Sequence, residues 1–463
     1  MASKEYDHET PATEPQPFKE AYEDYGEAEG TNGASSTSSK EDPEHGQQLA
    51  KVQSEKPSIN NISSVPNGGT LAWLQVVGGF FLMFNSWGIV NTFGIYQTFY
   101  ESSDSPFHVD SSTISWIGAL QACLLMLIGA LTGPIYDAGH LRWLLLPGSF
   151  LVVFGHMMLS LATEYYQALL AQALCIGLGC GLLFVPSVAI ISTYFTTKLA
   201  LAIGIAASGS SFGGVIYPIV LHRLVAQVGF PWAVRIIGFM VLVTLAVPNI
   251  VLKMRVKPGA KRALVDWTAF REAPFVVYTL GSTIGFCGLY VFFFYIQYYS
   301  ISTGITNDNL GFYLLAILNS ASIFGRILPN FIADYTGPLN IITPCAAIAG
   351  LLTLCLMATH SLAGIIIQCL FYGFFSGTFV SLPPTVLVTL TKNRALIGTR
   401  MGMCFSINSI GLLIGTPIAG AILGSNNNFT GIWIFGGVMA LSSAIIMSAA
   451  RILKTGPKLM AKA

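Results

Sequence analysis

The chain runs to 463 residues, of which 53% are drawn from Ala, Val, Ile, Leu, Met, Phe, Trp, Tyr and Cys and only 10% are charged, against about 25% charged in soluble domains. A net charge of +1 hides an uneven spread: residues 1–66 hold 13 of the 22 acids and 5 of the 23 bases, leaving 27 charges for the other 397 residues. Water is therefore not the main solvent, and a soluble enzyme is excluded for the bulk of the chain. A nucleic-acid binder is excluded too, because the Lys and Arg stand singly between apolar runs instead of clustering. The eight Cys all lie in apolar segments, where a thiol packs as a small hydrophobe. Cys175 and Cys180 have no second pair and no His at ligand spacing, so no metal site and no cofactor is expected.

In chain order, residues 1–66 are rich in Glu, Ser, Gly and Pro without apolar periodicity and are predicted to form a disordered acidic tail. The opening MASKEYDHET has neither an apolar core nor a cleavage site, so the first apolar run should act as the insertion signal. A helix needs about 20 apolar residues to cross the hydrocarbon. Such runs lie near 72–100, 113–135, 143–163, 166–194, 199–222 and 231–252, and after a basic loop near 274–299, 309–332, 339–359, 362–390, 397–423 and 430–452. The prediction is an all-α membrane protein with twelve transmembrane helices. Its parts would be the tail, a first bundle over 67–252, the basic loop 253–273, a second bundle over 274–453 and a short tail 454–463.

Twelve crossings put both termini on one side. That side collects 20 Lys and Arg, the opposite side only Arg223 and Arg235, and positive-inside bias then places the termini in the cytosol. The cell membrane is the expected location, with a vacuolar or other organelle membrane as the alternative. The sequon Asn428-Phe429-Thr430 would face outward as a glycosylation acceptor in a very short loop.

The chain also repeats itself. Asp137 and Asp334 are 197 residues apart, Gly177 and Gly181 recur 196 residues later as Gly373 and Gly377, Gly204 recurs at 198 as Gly402, and Pro218 recurs at 199 as Pro417. A near-constant offset marks two parallel six-helix halves, the major facilitator architecture, with a midplane site between halves that rock. Gly213, Gly214, Gly415 and Gly420 near those prolines fit close packing, alone or together with hinging.

NGGTLAWLQVVGGFFLMFNSWGIVNTFGIYQTFYES, GPIYDAGHLR, GRILPNFIADYTGPLN and IGTPIAG together resemble the fungal monocarboxylate-transporter-like branch of the major facilitator superfamily, over about residues 66–453. The resemblance implies that Asp137 and Arg142, after the second span, latch the halves, with Asp334 as the second-half copy; the plainer reading is an interfacial charge. It also implies that Arg326, in the eighth span, binds a substrate carboxylate. Animal members carry an Asp one turn before that Arg and a Lys in helix one, whereas this chain has Ser322 and Asn91, so their proton mechanism does not transfer directly and proton coupling stays open.

Arg326 is the one charge well inside a span. An arginine at a helix centre costs about 2.5–3.5 kcal/mol on the insertion scale, so it faces either a wet cavity or, by snorkelling, the headgroups. No Asp or Glu lies mid-span to pair with it. A guanidinium forks two hydrogen bonds to a carboxylate and stays charged. Asn85 and Asn91, with Tyr96 and Gln97, offer neutral hydrogen bonding in the first span. Tyr290, Phe294 and Tyr298 share a face of the seventh span, as a cavity wall or an interfacial belt. His156 could relay a proton or simply bond within the bundle. The chain has no Walker sequence, which excludes an ATP-driven pump. The expected function is a monomeric secondary carrier for a small organic anion, a mono- or dicarboxylate. The alternatives are an efflux carrier for a fungal secondary metabolite and a non-transporting nutrient receptor.

Overall fold

The computed structural model describes residues 65–100, 102, 105–107, 109, 111–255, 265–393, 396–424, 428–457 and 462. The tail expectation, and residues 256–264 of the basic loop, lie outside the described residues. All regular structure among the described residues is helical. The long helices are α1 (Thr70–Tyr100), α2 (Thr113–Tyr136), α3 (Arg142–Leu159) and α4 (Tyr165–Thr193), followed by one continuous run, Leu199–Val251, of 53 residues. At 1.5 Å per residue that run is roughly 80 Å long, more than twice the hydrocarbon thickness. It is two crossings, because Gly229 breaks the helix with φ 77° and ψ 165°, a conformation that only glycine adopts at little cost. We call residues 199–228 α5 and residues 230–251 α6. The second half comprises α7 (Ala273–Ser302), α8 (Leu310–Thr336), α9 (Pro338–Ala358), α10 (Leu362–Leu390), α11 (Ile397–Leu423) and α12 (Phe429–Thr455).

Lipid offers no hydrophobic drive between helices, so association depends on backbones approaching closely at small residues. The repeated glycines sit at matching crossings in the two halves. A Cβ on Gly181 in α4 would press on Ile128 and Leu124 of α2, and one on Gly377 in α10 would press on Ser322 of α8. Between the halves, Gly204 of α5 lies against the backbone of Arg326 and against Asn330 in α8, while Gly133 of α2 lies against Gly398 of α11. The seam is therefore built twice, by α5 with α8 and by α2 with α11. Large apolar side chains left bare, such as Trp143, Phe150, Val243, Ile250 and Ile445, lie on α3, α6 and α12, the helices that turn their outer faces to hydrocarbon.

Candidate binding site at the seam

Between the halves lies a narrow cleft of about 10 Å³, room for about one water in this conformation. The first half lines it with Met83, Trp87, Met126, Phe184, Ile203 and Ala207, the second with Phe286, Arg326, Val380, Ser381, Pro384 and Phe405. Helices α1, α2, α4 and α5 thus face α7, α8, α10 and α11, and the four outer helices contribute nothing. Arg326 is 3% exposed, so its guanidinium lies in the seam and not at the headgroups. Nε donates to Ser322 Oγ at 3.3 Å. Ser322 Oγ also accepts from Ser211 Oγ of α5 at 3.1 Å, a polar bridge across the seam. The ion pairs among the described residues belong to Arg400, and none reaches Arg326.

The seventh-span aromatics divide. Tyr290 stacks on Trp87 of α1 at 6.2 Å and Phe294 meets Phe93 of α1 edge-on at 6.2 Å, so both stand at the seam. Tyr298 is exposed and packs on Phe429 at the helix end. Asn91, one turn beyond Trp87, is buried in α1. Asn85 is elsewhere: its Oδ1 accepts from Tyr217 OH at 2.7 Å and Thr244 Oγ1 at 2.9 Å, and its Nδ2 donates to Phe81 O. Its carbonyl oxygen thus ties α1 to α5 and α6, and Asn85 is not among the residues that line the cleft. Tyr96 likewise turns into a ring cluster with Tyr100 and Phe230, and His156 is bonded to Val152 O of its own helix.

The Major Facilitator Superfamily profile matches residues 76–398 of the chain. The chain belongs to the major facilitator superfamily. It is 52% identical over 383 residues to the MFS-type transporter dbaD of Emericella nidulans, covering 82% of this chain and 86% of that protein. It is 35% identical to the aspyridones efflux protein apdF of the same species, over 84% of this chain and 81% of that protein, and 38% identical to the agnestins efflux protein AgnL12 of Paecilomyces divaricatus, over 83% and 88%. In three dimensions it resembles the human organic anion transporter MFSD10, with TM-score 0.60 at 13% identity over 82% of this chain and 98% of that one. The Escherichia coli fucose:proton symporter FucP matches with TM-score 0.60 at 15% identity and the same coverage. Identities this low speak to the fold alone.

Members of the superfamily are membrane transporters, and two groups at the terminus-bearing end of this one bear on how its halves hold together. Asp334 at the end of α8 accepts from the backbone N–H of Ala200 at 2.8 Å and of Leu201 at 3.0 Å. A carboxylate thus caps the first turn of α5 across the seam, where orphan N–H groups and the helix dipole favour negative charge. The side chain of Asp137, its repeat partner, lies outside the described residues. Arg142 departs from the latch expectation: it donates to the carbonyls of Asn249 and Leu252, at the end of α6 in its own half, where a helix C-terminus attracts a cation. Asn428 caps α12 by accepting from Gly431 N at 3.0 Å, which seats the sequon in the first turn of a span.

Three groups escaped the sequence reading. Asn319 and Asn330 continue the Ser322 and Arg326 face of α8 at helical spacing, are fully buried, and each leaves its Oδ1 without a partner among the described residues. Ser381 accepts from Asn330 Nδ2 at 2.7 Å and lines the cleft. Arg400 lies in the first turn of α11, where it grips Asp266 at 2.8 Å and Glu272 at 2.8 Å. The helical spacing of the polar stripe is a signal that could have revealed it; the Arg400 partners, about 130 residues away, leave none.

Proposed function

We propose that this protein is a secondary carrier that exports a small organic anion by alternating access of its two halves, with Arg326 as the anchor of the anion. The observation that carries the reading is a buried guanidinium in the seam cleft with no carboxylate against it among the described residues. A buried charge left unpaired is costly, and an anionic cargo supplies the missing partner. Export is supported by relatives named as efflux proteins, which favours the metabolite-efflux reading over uptake of a nutrient acid. Asp334, holding α8 to α5, serves as a latch at the terminus-bearing end, which positive-inside bias assigns to the cytosol.

The test is deletion of the gene in its own organism, followed by complementation with the wild type, Arg326→Ala and Arg326→Lys. Deletion should raise the intracellular level of an acidic metabolite and lower its level in the medium. Arg326→Ala should reach the membrane and leave that defect unrepaired, while Arg326→Lys restores part of the export because a point charge replaces the fork. Full export by Arg326→Ala would remove the assignment.

A further inference from the structure

We infer that the cargo of this cleft is a monoanion on a bulky, apolar body of at least aromatic-ring size, and that short monocarboxylates and dicarboxylates are poor ligands. The inference rests on Arg326 as the anion site and concerns what the rest of the cleft accepts. Ten of the twelve lining residues are apolar. Ser381, the polar residue besides Arg326, has its hydroxyl occupied, accepting from Asn330 and donating to Thr378 O at 3.3 Å. A hydroxyl- or amide-rich cargo would give up water for walls that return no hydrogen bonds.

The walls themselves form a continuous aromatic surface across the seam. Trp87 meets Phe184 edge-on at 5.8 Å, and Phe184 meets Phe405 of the other half at 5.0 Å. On the far side Trp87 is backed by Tyr290. Sites of this composition bind by burying apolar area, with a few polar groups fixing orientation, and an apolar body that parts these packed rings buries more of it than an acid of two or three carbons does. A second carboxylate fares worse, because no second cation lines the cleft among the described residues. Arg400 is held by Asp266 and Glu272, while Arg223 and Arg235, at the opposite end, donate to Tyr313 OH and Ser160 Oγ. One charge of a dicarboxylate would therefore be stranded among Phe, Met and Trp.

Isothermal titration of the purified full chain with 2-naphthoate, its neutral amide, acetate and succinate tests this, weak ligands being ranked by competition. The expected result is 2-naphthoate at least tenfold tighter than acetate, succinate and the amide, with F184A and F405A narrowing the gap to acetate at least fivefold. Acetate or succinate within tenfold of 2-naphthoate overturns the inference; if R326Q then abolishes binding of all three acids, the anion site at Arg326 survives. An amide that binds as well as 2-naphthoate, or R326Q that binds it unchanged, overturns the anion site itself. No saturable heat from any probe overturns both. The comparison of the four probes on the wild type needs no variant, so a misfolded mutant leaves it decisive.

Discussion

Asp334→Ala isolates the contact that holds α8 to α5 at the terminus-bearing end. The carboxylate makes two hydrogen bonds to backbone N–H groups across the seam, at 2.8 and 3.0 Å. Hydrogen bonds to a charged group contribute about 1.5–3 kcal/mol each. Asp334 is half-buried, which argues for the low end, so the pair contributes about 3 kcal/mol to the form closed at that end. Losing it shifts the closed-to-open ratio by roughly 100-fold. Asp334→Asn keeps one acceptor oxygen and should fall between. Spin labels at Lys198 and Tyr335, both exposed, in a background lacking the exposed Cys355, read the separation of the two helix ends by dipolar spectroscopy. The wild type should show mainly the short distance, the alanine variant a large long-distance population. An unchanged distribution in Asp334→Ala would refute the idea that this carboxylate holds the halves together.

Other residues give sharper separations of structure from binding. Asn85→Ala strips the acceptor from Tyr217 and Thr244; it should cost about 1–3 kcal/mol, read as a fall in the melting temperature of the solubilised protein, with cargo affinity of the folded fraction unchanged. Gly204→Leu should abolish close approach of α5 to α8, since even a Cβ there collides with the Arg326 carbonyl; thermal unfolding should show about 1–3 kcal/mol of destabilisation or more. By contrast Gly420→Ala, which meets only Tyr295 OH at 3.0 Å, should be mild by the same measurement. Arg400→Met leaves Asp266 and Glu272 without their cation and should cost about 3 kcal/mol, the low end for a broken buried pair, because the Glu272 side chain is 34% exposed. For Asp266, burial opposes ionisation, yet hydrogen bonds from Thr268 and Arg400 outweigh it and hold the carboxyl below its usual range. A depressed value means stabilisation that is complete above the unfolded value, about 3.9, and that fades as pH falls through the folded one. The melting-temperature gap between wild type and Asp266→Asn should therefore be constant from about pH 5 to 8 and shrink as pH falls through the lowered value, below the usual carboxylate range.

The spans were legible because hydrocarbon thickness imposes a length that few sequences satisfy by accident, and the break between the fifth and sixth was marked by Gly229 and Pro231 even though the helical run continues on both sides. The glycine repeats were legible as spacing, and they occupy matching helix crossings because both halves pack by the same close approach. Side-chain partners were another matter. Asn85 looks like a cavity residue until Tyr217 and Thr244 arrive from two other helices, and Arg142 looks like a latch until the end of α6 supplies its carbonyls. Each of these partners lies more than 100 residues distant in the chain, which no local pattern encodes.

The duplication also explains why the cleft has a single charge. Subtracting the 197-residue offset carries Asn319, Ser322, Arg326 and Asn330 of α8 onto Ala122, Leu125, Gly129 and Gly133 of α2. The same crossing is thus polar in one half and made of small or apolar residues in the other, where Gly133 packs directly on Gly398. An anion held by Arg326 sits off the pseudo-twofold axis, bound to the second half, while the first half contributes Met83, Trp87, Met126 and Phe184 as apolar wall. When the halves rock, the charged end should travel with α8 and the apolar end should slide over α1 and α4. Substituting Gly129 by Arg would restore the symmetry of charge, and a dicarboxylate such as succinate should then gain affinity relative to 2-naphthoate in the same titration. A variant that folds, keeps 2-naphthoate and gains nothing for succinate would show that the two crossings are not equivalent positions in the cleft.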